Sequence, residues 1–115
     1  MDEPKEFTRY LKKVTDEDIA RLEEVLQENP GDMDVLDWLA FATYSAGRYD
    51  RAVQLYERCI AQEPETVSFH YFLGNCYWHV QQHAKARNEW NRVIEMDAEG
   101  KFRSRAADKL KLVEK

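Results

Sequence analysis

Apolar and small residues recur at intervals of three and four positions along most of the chain. Two neighbouring segments show the spacing most clearly, the first at Leu36, Leu39, Ala40 and Thr43, and the second at Ala52, Leu55, Tyr56, Cys59 and Ile60. This spacing places the residues on one face of an α-helix. Gly47 separates the two segments, and Pro30 and Pro64 lie where a helix must stop. The pattern predicts a pair of antiparallel helices.

The same helix pair occurs a second time, displaced by 34 residues. The matched residues are Leu39 and Leu73, Ala40 and Gly74, Ala52 and Ala86, Tyr56 and Trp90, Ile60 and Ile94, with Pro30 and Pro64 one interval earlier. Repeats of this length form stacks of supersecondary units. Antiparallel helices approach closely only where a small residue faces a bulky one. Ala40 and Gly74 are therefore predicted to face bulky Tyr56 and Trp90.

These positions resemble the tetratricopeptide repeat (TPR) family. In its pattern W-x2-L-G-x2-Y…A-x3-F…P, the second copy supplies Leu73, Gly74, Tyr77 and Ala86, with Trp90 in place of Phe. The first copy supplies Leu39, Gly47, Tyr49, Ala52, Tyr56 and Pro64. The chain departs from the pattern at Leu36, His70, Ala40, Thr43 and Ala98. The resemblance implies an all-α fold, a right-handed superhelical stack of antiparallel helix pairs (a TPR-like α-solenoid).

The flanking segments extend this stack to about seven helices in one domain, without strands. Residues 5–14 carry an apolar stripe, and Thr15 with Asp18 has the spacing of a capping box before the next helix. After Gly100, a last amphipathic helix has basic residues on its outer face. We interpret 1–32 as a degenerate N-terminal repeat, 33–66 and 67–100 as TPR repeats, and 101–115 as a C-terminal capping helix.

The resemblance further implies that the first helix of each repeat lines a concave groove. The residues predicted to face it are Asp34, Asp37, Phe41, Tyr44, Tyr71, Asn75, Trp78, Arg105 and Lys109. The aromatic residues would provide apolar contact, Asn75 would hydrogen-bond a partner backbone, and the basic end would attract acidic groups. The prediction is a non-catalytic adaptor that binds a peptide segment of another protein. Alternatively, Tyr71, Asn75 and Trp78 are part of the general scaffold of the repeat.

One TPR subfamily grips a C-terminal carboxylate with Lys and Asn side chains, and this chain departs from it. Asp37 and Phe41 occupy those positions, and an acidic residue there would repel a carboxylate. The sequence therefore argues against a carboxylate clamp, although Asn75, Arg105 and Lys109 are predicted to lie near one another.

Charge is distributed unevenly along the chain. The formal net charge is −5, residues 1–32 carry ten acidic and five basic residues, and residues 101–115 carry two acidic and six basic residues. The acidic total argues against nucleic acid as a partner, and the chain has no apolar run long enough for a membrane span. The polarity, together with Trp38, supports an alternative function as a self-associating structural or assembly subunit, a homo-oligomer. Alternatively, Trp38 packs under the N-terminal helix. A weaker alternative has the basic tail touching a membrane or nucleic acid.

Residue types with catalytic chemistry do not form a recognised motif. His79 and His83 have the i, i+4 spacing of a zinc pair, but His83 falls in the predicted turn between helices. Cys59 and Cys76 lack the spacing of metal ligands and are expected to be small buried residues, with a disulfide or a reactive thiol as the alternatives. We expect no cofactor and no metal. The N-terminus lacks the apolar core of a secretion signal, which favours a cytoplasmic protein if Met1 is the native start.

Overall fold

The computed structural model describes residues 14–97 and 100–113 of the 115-residue chain. This part of the chain contains the helices α1 (Asp16–Glu28), α2 (Met33–Ser45), α3 (Tyr49–Gln62), α4 (Val67–His79), α5 (His83–Met96) and α6 (Lys101–Val113). The same residues contain no strand. The additional helix predicted over residues 5–14 lies, apart from Val14, outside the described residues. The all-α fold class is confirmed.

The first helices begin at side chains that satisfy free backbone amides. The N–H of Asp18 donates to Thr15 Oγ1 at 3.1 Å, and the N–H of Thr15 donates to the Asp18 carboxylate at 3.0 Å. These two bonds form the predicted capping box at the start of α1. At the start of α2, the Asp32 carboxylate accepts a hydrogen bond from the N–H of Val35 at 3.2 Å. Both caps fix the direction in which the chain enters its helix.

The turn from α2 to α3 has the same backbone path as the turn from α4 to α5. Gly47 has a φ of 79° in the first turn, and Gln81, 34 residues later, has a φ of 69° in the second. In both turns the left-handed residue and the one after it donate their N–H groups to carbonyls in the last turn of the preceding helix. The backbone conformation of the turn therefore repeats at the same 34-residue interval as the side chains.

Each helix packs against the next one along the chain, and α4 also contacts both α2 and α6. Helices α2, α4 and α6 consequently share one side of the stack, while α1, α3 and α5 form the other. This is the predicted stack of antiparallel helix pairs. Among the described helices, none combines the length and the apolar character required to cross a bilayer.

The predicted contact between a small and a bulky residue is close between α4 and α5. Trp90 is 1% exposed, and a Cβ atom placed on Gly74 would lie 2.6 Å from its Nε1 atom. At the equivalent position in the first helix pair, Ala40 and Tyr56 are both buried. Because a methyl group cannot fit at position 74 without movement, Gly74 sets how closely α4 and α5 approach.

Charged side chains join helices on the opposite side of the stack from the shared face. Arg51 of α3 makes two hydrogen bonds to the Glu23 carboxylate of α1, at 2.9 and 2.6 Å. Arg48, at the start of α3, donates to Asp16 at 2.6 Å. These two arginines therefore have carboxylate partners within the fold.

Candidate functional site

Helices α2, α4 and α6 enclose a groove with two cavities on their shared side. The larger, which we name the aromatic cavity, has a volume of about 370 Å³ and is lined by Phe41, Ser68, Phe72, Lys101, Phe102 and Arg105. The smaller, which we name the amide cavity, has a volume of about 150 Å³ and is lined by Tyr44, Asn75, Trp78, His79, Trp90, Lys109, Leu112 and Val113. In each of the three helices, the residues that line the amide cavity come later in the sequence than those that line the aromatic cavity. The two cavities therefore follow one another along the helix axes.

Phe72 is the centre of the aromatic cavity. Its ring centroid lies 5.2 Å from those of Phe41 and Tyr44, 5.3 Å from that of Tyr71 and 6.2 Å from that of Phe102. These distances and the tilted or edge-on ring orientations are the favourable range for aromatic pairs. Rings from α2, α4 and α6 thus form one continuous apolar surface.

Two basic residues of α6 lie over this aromatic surface. The Lys101 Nζ atom lies 5.7 Å from the centroid of the Phe102 ring, and the Arg105 guanidinium carbon lies 5.6 Å from it. Cations at such distances are attracted to the ring face. Both side chains line the aromatic cavity, while Lys109 lines the amide cavity one helical turn further on. The α6 side of the groove is therefore positively charged along its length.

Asn75 organises the polar part of the amide cavity. Its Oδ1 accepts a hydrogen bond from the buried Trp90 Nε1–H at 3.1 Å, and its Nδ2 donates to the Tyr44 hydroxyl oxygen at 3.2 Å. Burial raises the pKa of the Tyr44 hydroxyl, against a smaller lowering by the Asn75 hydrogen bond. The Tyr44 hydroxyl stays protonated at neutral pH, so it can donate a hydrogen bond into the cavity.

Six of the nine predicted groove residues line one of these cavities, namely Phe41, Tyr44, Asn75, Trp78, Arg105 and Lys109. Tyr71 is 7% exposed and lies beneath the cavity surface, with its ring packed on Phe72 and Phe102. Asp34 and Asp37 belong to the first turns of α2 and line neither cavity. The structure therefore brings the aromatic and basic residues together and leaves the two acidic residues outside both cavities.

Phe72 and Phe102 line the groove but were not predicted to do so. A usable signal was present, since Phe72 follows Ser68 by four residues and precedes Asn75 by three, which places all three on one face of α4. Phe102 precedes Arg105 by three residues and belongs to the same face of α6. Helical spacing from residues already assigned to the groove would have included both rings.

His79 and His83 pack against aromatic rings at the turn between α4 and α5. The His79 ring stacks on Tyr49 with 3.9 Å between centroids, and the His83 ring stacks on Trp78 at 3.8 Å. Within the described residues, no group of three or more His, Cys, Asp or Glu side chains is arranged to hold a metal ion. The two imidazoles hold the turn against the neighbouring helices.

The third histidine, His70, is buried between two acceptors. Its Nδ1 lies 2.7 Å from Glu89 Oε2 and its Nε2 lies 2.8 Å from the carbonyl oxygen of Pro64. A ring whose two nitrogens both face acceptors must carry two protons to satisfy them. The Glu89 contact, helped by the Pro64 carbonyl, raises the pKa of His70 despite its burial. His70 therefore joins α4, α5 and the preceding loop.

Both cysteines are buried and free, as expected from their spacing. Burial raises the pKa of the Cys59 and Cys76 thiols to about 12. A thiol with such a pKa is almost fully protonated at neutral pH and is a poor nucleophile. The two residues serve as small apolar side chains in the core.

A further cavity lies at the α1 end of the stack. It has a volume of about 220 Å³ and is lined by Val14, Asp18, Arg21, Leu22, Val25 and Trp38. Trp38 was predicted either to pack under an N-terminal helix or to take part in self-association. Of the segment predicted to cover it, only Val14 falls within the described residues, and it lines this cavity.

Comparison with known proteins agrees with this architecture. A solved crystal structure of MamA AMB-1 is similar to the chain with a TM-score of 0.67 and 22% sequence identity, over 74% of this chain and 50% of that one. The chain thus corresponds to about half the length of that protein, and at this identity the similarity concerns the fold. No curated protein matches. The tetratricopeptide repeat family matches residues 39–101, more than half of the chain. The chain belongs to the tetratricopeptide repeat family.

Proposed function

We propose that this chain is a non-catalytic interaction module that holds a peptide segment of a partner protein in the groove formed by α2, α4 and α6. The main support is the alignment of the aromatic and amide cavities along one groove that is apolar at its floor and basic at one side. Peptide recognition needs apolar recesses for anchoring side chains and polar groups at their edges. The groove has both.

Each cavity would contribute a different kind of contact. The rings of Phe41, Phe72 and Phe102 would surround an apolar side chain of the peptide and remove it from water. In the amide cavity, the Tyr44 hydroxyl accepts from Asn75 and keeps its own proton for a peptide carbonyl. The bound segment would therefore be anchored in the aromatic cavity and hydrogen-bonded in the amide cavity.

The assignment as non-catalytic is supported by what the candidate catalytic side chains already do. His70 is held between Glu89 and a carbonyl, and both thiols have a strongly raised pKa. Side chains used in this way hold the fold together and are poorly suited to proton transfer or nucleophilic attack.

We also propose repeat boundaries that follow the helix pairs. Residues 33–66 contain α2 and α3, residues 67–100 contain α4 and α5, and residues 101–115 contain the capping helix α6. Residues 1–32, which include α1, would be the degenerate N-terminal repeat. Support comes from the two left-handed turn residues, which are separated by the same 34 positions as the matched side chains.

A variant that fills the aromatic cavity tests the proposed function. Ser68 lines this cavity at the start of α4, and Ser68→Trp would occupy it, while Ser104→Trp places the same ring on the exposed side of α6. Peptides selected from a random display library on the wild-type chain are expected to bind Ser68→Trp at least about tenfold more weakly by fluorescence anisotropy. They should bind Ser104→Trp normally. Equal binding to Ser68→Trp and the wild type, with both folded by circular dichroism, would remove the groove from the proposal.

A second candidate function, self-association, is favoured by the charge difference between the end helices. Helix α1 contains six acidic residues and one basic residue, and α6 contains five basic residues and one acidic residue. Head-to-tail contact between copies would bring these helices together. Light scattering at low and high salt tests it, since an assembly held by these charges dissociates as salt increases. A monomer at both salt concentrations contradicts it.

A further inference from the structure

The basic residues of the groove form a regular row. Lys101, Arg105 and Lys109 lie at successive four-residue intervals on one face of α6, and each lines one of the two cavities. With a rise of 1.5 Å per residue, their Cα atoms are spaced by about 6 Å along the helix. The row therefore extends about 12 Å along the groove.

These cations have no carboxylate partner among the described residues, in contrast to Arg48 and Arg51, which pair with α1. Lys101 and Arg105 instead lie over the Phe102 ring. Asp108, the acidic residue of α6, lines neither cavity. Three like charges beside an apolar floor repel one another and attract an anionic ligand. Within the described part of the chain, the row therefore has no internal counter-charge and favours an anionic ligand.

The spacing of the row further indicates how the ligand's acidic groups are arranged. In an extended chain, alternate side chains point to the same side and are about 6.6–6.8 Å apart. Three alternate carboxylates would span about 13 Å, which agrees with the row of three cations to within about 2 Å. Flexible Lys and Arg side chains can accommodate that difference. The intervening side chains would point away from α6, towards the rings of α2 and α4.

We propose that the ligand of this groove is an extended acidic segment in which acidic and apolar residues alternate, with carboxylates on the α6 side and apolar side chains in the aromatic cavity. This inference rests on the proposed peptide-binding function. It specifies the chemistry of the partner, since a basic segment, or an acidic one with its carboxylates grouped together, fits the row poorly.

Three synthetic peptides separate charge from spacing. The first alternates Glu with Phe and Leu, the second has the same composition with its Glu residues in one block, and the third alternates Lys with Phe and Leu. Fluorescence anisotropy with the intact chain is expected to show the first peptide binding at least about tenfold more tightly than the other two. Equal affinity for the Lys peptide would overturn the acidic ligand, and equal affinity for the block peptide would overturn the alternating arrangement.

A matched pair of charge-reversal variants identifies the row itself. Arg105→Glu with Lys109→Glu reverses two groove cations, whereas Arg103→Glu with Lys111→Glu makes the same change of net charge on the same helix outside both cavities. The first variant should weaken binding of the alternating Glu peptide at least about tenfold, with the loss shrinking at high salt. The second should weaken it much less. Equal losses would overturn the inference.

The Ser68→Trp variant separates failure of this inference from failure of the proposed function. Library-selected peptides that are not acidic but are excluded by Ser68→Trp would overturn the inference and leave the proposed function intact. An alternating Glu peptide that binds Ser68→Trp as tightly as the wild type would overturn the inference alone, because that peptide would bind outside the aromatic cavity. Library-selected peptides that bind Ser68→Trp as tightly as the wild type would overturn both.

Discussion

The helix pairs α2–α3 and α4–α5 share one backbone plan but fill it with different side chains. Residues separated by 34 positions are equivalent. The first pair has Leu36, Ala40 and Gly47 where the second pair has His70, Gly74 and Gln81. The first pair uses side chains that fit this backbone easily. The second has a glycine under a tryptophan, a buried histidine and a non-glycine residue at positive φ. The second pair also supplies Phe72 and Asn75 to the groove. The helix pair with these three unusual positions therefore also contributes to the candidate site.

The largest expected effect concerns Gly74. Ala at this position would place its Cβ atom 2.6 Å from Trp90 Nε1 and 2.7 Å from Trp90 Cδ1. The tryptophan cannot move aside easily, because it is 1% exposed and hydrogen-bonded to Asn75. We expect Gly74→Ala to lower the free energy of unfolding by about 3 kcal/mol in urea denaturation.

The reverse change in the first pair is the control for Gly74→Ala. Ala40→Gly should lose only about 1 kcal/mol, the ordinary cost of glycine inside a helix. Combining Gly74→Ala with Trp90→Phe should cost less than the two single changes added together, since the smaller ring removes the clash. A Gly74→Ala protein as stable as Ala40→Gly would contradict the close contact between α4 and α5.

His70→Leu is expected to have the second-largest effect on stability, and the size of this effect depends on pH. The position is Leu36 in the first pair, which makes His70→Leu a natural exchange. Loss of the hydrogen bonds to Glu89 and Pro64 is expected to cost about 2 kcal/mol at pH values below about 6.5. The measurement is urea denaturation of both proteins at several pH values.

The pH dependence follows from the raised pKa of His70. The hydrogen bond to Glu89 is the main cause, the Pro64 carbonyl adds to it, and burial and Arg92 oppose it. The folded state thus binds the proton more tightly than the unfolded state, so this stabilisation is complete below the unfolded pKa of about 6.5 and is lost as the pH rises through the folded pKa. As the pH rises above about 6.5, the wild type should therefore lose stability relative to His70→Leu. A constant difference between them would show that the pKa of His70 is not raised in the folded state.

The capping box was predictable from the local spacing of Thr15 and Asp18, and the Gly74–Trp90 contact was predictable from the 34-residue repeat. The basic side of the groove was predictable as well, because α6 is a surface helix whose polar and apolar faces differ. The groove face of α4 was harder to identify. This helix contacts α2, α3, α5 and α6, and it is buried almost continuously from Phe69 to Tyr77. A helix that is apolar on nearly all sides has no polar face from which its rotation can be read, so the groove position of Phe72 could be inferred only from its three-residue spacing to Asn75.

Thr43 and Tyr77 are equivalent positions whose hydroxyl groups differ in their contacts. The Tyr77 hydroxyl donates to Glu57 at 2.7 Å, whereas the fully buried Thr43 hydroxyl has no hydrogen-bond partner among the described residues. Replacing a buried unsatisfied hydroxyl with a methyl group removes a desolvation cost. Thr43→Val should therefore raise the free energy of unfolding by about 1 kcal/mol, while Tyr77→Phe lowers it by a similar amount. Thermal denaturation that gives both changes the same sign would contradict this difference.

The smallest effect is expected at the two left-handed turn residues. Gln81 has a φ of 69°, a conformation that costs about 1 kcal/mol or more for a residue with a Cβ atom and little for glycine. Gln81→Gly should stabilise the protein by only about 0.5 kcal/mol, because glycine also gives the unfolded chain more freedom. Gly47→Ala, the opposite change in the first pair, should destabilise it by about 1 kcal/mol. Urea denaturation of the two variants measures both changes in the free energy of unfolding. If Gln81→Gly were destabilising, the Gln81 side chain would hold the turn through contacts of its own, and the two turns would be alike only in their backbone.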